Sequence, residues 1–189
     1  MKVSEDKTSV TQQIESVKYW RWNEFLKDEF SDKRLLEKRA ALLDGKVLHQ
    51  ILSCVANLDK QDKEEAIKLG LVSAKELFPQ VEDFTDYEAK VRKVLDSSAF
   101  KQYFYLGDAE VFKEKEVVNS HGDTKRLDRL IITEKSAIIV DYKSRVEEEL
   151  DYAKQINEYK EIISQLYPKH QVKGFLLYLE ELKVEEING

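Results

Sequence analysis

Two acidic residues and a lysine are spaced so that they can meet at one edge of a β-sheet. Asp128 lies inside the stretch "RLDRLIIT", and Asp141 follows the apolar run of "IIVDYKS", with Lys143 two residues later. Side chains two residues apart on a strand point to the same face. Asp141 and Lys143 are therefore expected on one side of the sheet, and a hairpin would bring Asp128 next to them.

Converging carboxylates repel one another unless a proton or a cation lies between them. Mg²⁺ is typically held by one or two carboxylates together with water and substrate phosphate. A lysine beside such an ion can position or deprotonate a water molecule, or stabilise the charge of a phosphate. These residues could therefore form a cation site that acts on phosphate, although Asp141-x-Lys143 taken alone is more typical of an ordinary ion pair at a strand end.

Other residues are placed where they can support this site. Gln155 and Tyr159 are four residues apart in a predicted helix and so share one face. The segment "LDGKVLHQIL" places His49 at the margin of an apolar helix face, where a packed histidine is the alternative to a ligand. Glu116, in "FKEKEVV", is a candidate auxiliary carboxylate, and a solvated strand residue is its alternative.

The elements that position these residues follow from the hydrophobic periodicity. Residues 11–57 and 58–105 read as helices, whereas "EVFKEKEVV", "RLDRLIIT" and "AIIVDYKS" read as three successive strands. A helix over 147–168 and a returning strand, "QVKGFLLYLEE", follow. This order predicts an α/β (α+β) fold in which a mixed central sheet of about four strands is flanked by helices. We expect one domain over 1–189, mostly helical over 1–105 and with the sheet over 106–189.

The composition limits the function classes. A net charge of −6 disfavours a domain that grips nucleic acid by its overall charge. Basic residues nevertheless cluster around the hairpin and could contact backbone phosphates, or form a solvated edge: Lys125, Arg126, Arg129, Lys135, Lys143 and Arg145. The single cysteine excludes an internal disulfide. Without a signal peptide or an apolar run of ~20 residues, a cytoplasmic protein with no membrane partner is expected.

The ordered set of motifs resembles the RecB-type branch of the PD-(D/E)XK nucleases, which includes the nuclease domains of the RecB and AddA helicase–nucleases. The matching motifs are Gly45-x-x-x-His49, Asp128-Arg129, Asp141-Tyr142-Lys143 and Gln155-x-x-x-Tyr159. They span about residues 40–180. Two departures occur: Ser144 stands where a threonine is usual, and no glycine closely precedes Asp128.

The resemblance implies a restriction-endonuclease-like core and a metal-dependent deoxyribonuclease that uses Mg²⁺ or Mn²⁺. It implies metal ligation by His49, Asp128, Asp141 and the backbone carbonyl of Tyr142. Lys143 would then activate the water, and Gln155 and Tyr159 would support the site and contact DNA. Of the basic cluster around the hairpin, Arg126, Arg129, Lys143 and Arg145 are the residues expected to contact DNA. Because the cluster-binding cysteines of some relatives are absent, no iron–sulfur cluster is expected.

The partners expected on this basis are DNA and a helicase motor, in the same parent polypeptide or in a complex. No Walker "GxxxxGK[ST]" motif is present in this sequence to power translocation. A second hypothesis is a catalytically inert nuclease-fold module that binds DNA or contacts another subunit. A serine hydrolase is disfavoured, since no "GxSxG" motif occurs.

Overall fold

Helices form the first part of the structure, as the spacing of apolar residues predicts. The computed structural model describes residues 33–119, 121–145 and 152–188, so the predicted helical residues 11–32 lie outside the described residues. The helices are α1 (Lys33–Ser53), α2 (Lys63–Leu77), α3 (Thr85–Asp96) and the single turn α4 (Lys101–Phe104). The first helix ends a turn earlier than predicted, and Asp62 then caps α2 by accepting the N–H of Glu65.

A five-stranded mixed sheet forms the second part. Its strands pair in sequence order: β1 (Glu110–Val118), β2 (Thr124–Ile132), β3 (Ser136–Lys143), β4 (Gln171–Tyr178) and β5 (Lys183–Glu186). All neighbours are antiparallel except β3 and β4, which are parallel and are joined through α5 (Tyr152–Leu166). The predicted mixed sheet flanked by helices is confirmed. The fifth strand was not predicted.

The sheet separates two apolar cores. On one face, Ile131, Val140 and Leu177 pack in the same cluster as buried residues of α1, α2 and α3. On the other face, Leu127, Ile139 and Leu176 pack with α5, whose Ile156, Tyr159, Ile162 and Ile163 are buried. The two faces of β3 therefore meet different helices, and Asp141 and Lys143, which share the face of Ile139, point toward α5.

Close packing of α5 on the sheet depends on Gly174. A Cβ atom at that position of β4 would collide with Cγ2 of Ile156 in α5. The glycine therefore lets the helix approach β4 closely, which also fixes the height of the α5 residues above β3.

The chain divides after Arg39 into two compact units, and the second, Ala40–Gly189, contains the complete sheet and every predicted site residue. The sequence did not indicate this boundary. None of the helices in the described ranges combines the length and the apolar character that a membrane span requires.

Candidate active site

The candidate site lies where β2 and β3 part. The two strands pair from Ile132 opposite Ala137 to Arg129 opposite Val140, and the ladder ends there. One residue further, the side chain of Asp128 replaces the missing strand partner, because its Oδ2 accepts the backbone N–H of Tyr142 at 2.8 Å. The hydrogen bond holds Asp128 beside the end of β3, next to Asp141.

His49 reaches this point from α1. Its Nδ1 lies 3.4 Å from Oδ2 of Asp128, and its ring meets that of Tyr142 edge-on with 5.6 Å between the centroids. Burial lowers the pKa of His49, but the hydrogen bond and charge of Asp128 outweigh it, so the pKa is raised overall. Val47 and Leu48, both buried, anchor the same turn of α1 in the core.

Gly45, one turn before His49, lies against the residue that follows Lys143. A Cβ atom at Gly45 would come within 2.5 Å of Oγ of Ser144. The helix approaches the end of β3 so closely here that a side chain at this position would require the Ser144 hydroxyl to move. The Gly45-x-x-x-His49 spacing therefore has a packing reason in this chain.

Asp141 is almost completely buried, with 3% of its surface exposed. Nζ of Lys143 lies 2.6 Å from its Oδ2, yet that oxygen has no well-directed hydrogen bond donor. Burial raises the pKa of Asp141 to about 6, and the negative charge of Asp128 adds to the shift. A buried carboxylate next to a second carboxylate is a place where a cation would be stabilised.

Lys143 is oriented by a chain of hydrogen bonds that runs along α5. Its Nζ donates to Oε1 of Gln155 at 3.1 Å, and Nε2 of Gln155 donates to the hydroxyl of Tyr159 at 2.8 Å. That hydroxyl donates to the carbonyl of Arg126 in β2 at 3.2 Å. The predicted pairing of Gln155 with Tyr159 thus occurs, and it ties the lysine to β2. Tyr159 is buried and supports the site without a surface for DNA.

An acidic residue that the sequence did not single out completes the surroundings. Glu114 and Asp128 lie between the paired positions Lys113–Arg129 and Lys115–Leu127 of β1 and β2. Glu114 has a left-handed φ of 49°, and its Oε2 is 2.8 Å from Nε of Arg126. Burial raises the pKa of Glu114; Arg126 opposes the shift and Asp128 adds to it. Glu116, the predicted auxiliary carboxylate, is exposed and faces Arg126 in the register. The structure therefore favours Glu114 for that role.

The basic residues are less available for contacts with DNA than the sequence predicts. Arg126 is exposed but paired with Glu114, and Lys125 lies 3.2 Å from Glu158. Arg145 is exposed in the turn after β3. The prediction that Arg129 contacts DNA is wrong for this structure, because its side chain is completely buried and bonded to backbone carbonyl groups.

The predicted metal ligands are brought together only in part. Across 33–119, 121–145 and 152–188, no three His, Cys, Asp or Glu side chains are grouped closely enough to hold a metal ion. His49 and Asp128 are in contact, whereas Asp141 is paired with Lys143. The donor chemistry still fits a hard divalent cation, because Oδ2 of Asp141 is buried and lacks a directed donor. The ring of Tyr142 is buried in the apolar core that faces α1, α2 and α3. Its backbone carbonyl is therefore the group that could serve as a ligand.

The chain matches no protein-family model and no curated protein. The arrangement of the side chains therefore has to support any functional conclusion by itself.

Proposed function

We propose that the protein is a metal-dependent deoxyribonuclease that hydrolyses phosphodiester bonds. The supporting observation is that His49 contacts Asp128 beside the end of β3, where the buried Asp141 is paired with a lysine that Gln155 of α5 holds in place. A buried carboxylate such as Asp141, whose Oδ2 has no well-directed hydrogen bond donor, is costly at a strand end that has only a structural role. Two carboxylates, an imidazole and an oriented ammonium group suit a reaction at a phosphate.

Each group has a distinct task in this proposal. His49, Asp128, Asp141 and the carbonyl of Tyr142 would hold the cation, Mg²⁺ or Mn²⁺. That cation supplies a Lewis acid which lowers the pKa of bound water and neutralises charge on the phosphate. Lys143 orients the attacking water or the phosphate oxygens, and Gln155 and Tyr159 keep its ammonium group in position.

The substrate we propose is DNA, and Arg126 and Arg145 are the exposed cations beside the site that would contact its backbone. Both bind phosphate without reading sequence, which suits a nuclease of low sequence preference. We further propose that the domain works with a helicase motor, in one polypeptide or in a complex, in DNA recombination and repair. The acidic net charge supports this proposal, because a motor would deliver DNA that the domain attracts only weakly.

The test is cleavage of linear single- and double-stranded DNA in the presence of Mg²⁺ or Mn²⁺. The wild type should degrade DNA, and Asp141→Ala or Lys143→Ala should reduce the rate by about 100-fold or more. Gln155→Leu should reduce it by about tenfold, since the lysine loses the acceptor that orients it. Ser164→Ala is the matched control, because the Ser164 hydroxyl bonds only to a carbonyl within α5.

Equal activity in the wild type and in both alanine variants would contradict the site assignment. Binding of DNA without cleavage, unchanged by metal, would instead support the second hypothesis of an inert nuclease-fold module. The ion pair of Lys143 with Asp141 is compatible with that outcome, so the cleavage assay separates the two functions.

A further inference from the structure

Arg129 is the largest of the completely buried side chains that the described residues contain, and its partners come from two other segments, 55–56 and 103–104. Its Nε donates to the carbonyl of Tyr103 at 2.9 Å, one terminal nitrogen donates to that of Val55 at 2.8 Å, and the other donates to that of Ala56. The guanidinium carbon lies 4.7 Å from the centroid of the Phe104 ring. Each guanidinium nitrogen thus has an acceptor, and one face of the group lies against an aromatic ring.

Burying a guanidinium group is costly unless its donors are satisfied, and an apolar residue would fill the same space without that cost. The fixed fork of five donors is, however, suited to joining several carbonyl groups in one geometry, which lysine cannot do. The arrangement therefore indicates that Arg129 is needed to hold these carbonyl groups in position. Its acceptors are not regular sheet partners, since Val55 and Ala56 follow the end of α1.

The neighbours of these residues show which parts are being joined. Arg129 directly follows Asp128 in β2, and adjacent strand residues point to opposite faces. Val55 lies six residues after His49, just beyond the last turn of α1. The side chain of Asn57 joins the same segment after α1 to Gly107 and Leu106, which precede β1. The guanidinium group thus fastens the end of the helix that carries His49 to the strand that carries Asp128.

We propose that Arg129 is a positioning residue that holds His49 against Asp128, and through that contact sets the affinity of the site for its cation. The consequence for metal affinity rests on the proposed nuclease function, whereas the positioning of His49 does not. Loss of a residue that orients a metal ligand typically lowers metal affinity by about 10- to 100-fold. Arg129 therefore acts without touching DNA or the cation.

The test uses the full chain without metal or DNA. Nuclear Overhauser contacts between the rings of His49 and Tyr142, which meet edge-on at 5.6 Å, report the position of His49. In Arg129→Lys and Arg129→Gln these contacts should fall by at least about half, since neither side chain can bond all three carbonyl groups. Arg92→Met is the control, because Arg92 also makes several hydrogen bonds, but to Glu64 and Glu88 on α2 and α3.

The second readout is the apparent Kd for Mn²⁺, which should rise by about 10-fold or more in both variants and stay unchanged in Arg92→Met. Ring contacts that persist in folded variants would overturn the positioning role. Loss of the folded state in both variants would also overturn it, because Arg129 would then serve the fold as a whole. If the contacts weaken but the wild type binds no Mn²⁺, the positioning role stands and the proposed nuclease function fails.

Discussion

At the scale of single residues, the site holds negative charge that the fold does not fully neutralise. Asp141 is buried beside Asp128, and the ammonium group of Lys143 lies 2.6 Å from its Oδ2 without making a well-directed hydrogen bond. Such a group lowers the stability of the protein unless a ligand binds it, which is common where function and stability compete. Burial disfavours the charged form of Asp141, and for the same reason a bound cation would stabilise the carboxylate there.

Replacing Asp141 by Asn should therefore stabilise the metal-free protein. The pKa of Asp141 is raised from 3.8 to about 6 in the folded state. A carboxyl group whose pKa is raised in the folded state binds its proton more tightly there than in the unfolded state. The stability that this proton binding contributes is therefore lost as the pH rises through about 6. In EDTA at about pH 8, Asp141→Asn should increase the free energy of unfolding by about 1–3 kcal/mol, measured by urea denaturation.

The gain should vanish near pH 4, where the folded wild type has bound the proton. Asp108→Asn is the control, because Asp108 is fully exposed and its replacement should change stability by less than about 0.5 kcal/mol. A loss of stability in Asp141→Asn at high pH would contradict the charge conflict described here.

At the scale of elements, three segments meet at the site and each is held by a specific contact. The end of β3 is fixed by the hydrogen bond from Tyr142 to Asp128 of β2. Helix α5 is tied to the same strands through Gln155 and Tyr159. Helix α1 approaches through Gly45, and its far end is fastened by Arg129.

The approach of α1 can be tested by a double-mutant cycle on Gly45 and Ser144. Gly45→Ala removes a flexible residue from a helix, which by itself stabilises by about 0.5–1 kcal/mol. In the wild type the new Cβ meets Oγ of Ser144, so that gain should be lost. In the Ser144→Ala background the gain should reappear, which gives a coupling energy of about 1 kcal/mol in urea denaturation. Additive effects would show that the two positions are not in contact.

Many of the helices and strands could be predicted from the sequence. The helices, four strands and the crossover helix follow from apolar periodicity, and Asp141 and Lys143 share a face as their spacing predicts. The strand β5 could not be found in this way, since "KVEE" is short and mostly charged. Glu114 was overlooked for a related reason, because its importance comes from its place beside Arg126 and Asp128 of the next strand and not from any local motif.

Arg129 shows the limit of sequence reasoning more clearly. A basic residue in a hairpin is usually exposed, and a phosphate contact was the natural interpretation. Its actual acceptors, the carbonyls of Val55 and Ala56, lie more than seventy positions earlier in the chain. No local pattern carries the information that these carbonyl groups will converge on it.

At the scale of the whole molecule, the acidic net charge implies weak attraction to DNA. Within the described residues, Arg126, Lys143 and Arg145 are the cations that we propose contact phosphates. Their contacts would release few counterions, so affinity should depend only modestly on salt. A motor that delivers the strand would compensate for that weakness.

The salt dependence of DNA binding can be measured by fluorescence anisotropy in EDTA, where no cleavage occurs. Three phosphate contacts predict a slope of log K against log salt of about −2 for single strands and about −3 for duplexes. Arg145→Ala should make the slope less steep by about 1. A slope steeper than about −6 in the wild type would mean that a larger basic surface binds the DNA.

The most direct test of the central claim is a crystal structure of the protein soaked with Mn²⁺, with the ion located by its anomalous scattering. We expect one strong anomalous peak between the side chains of His49, Asp128 and Asp141, with Lys143 displaced from the oxygen it now approaches. A peak bound by other residues, or no peak at saturating Mn²⁺ with Lys143 still paired to Asp141, would contradict it.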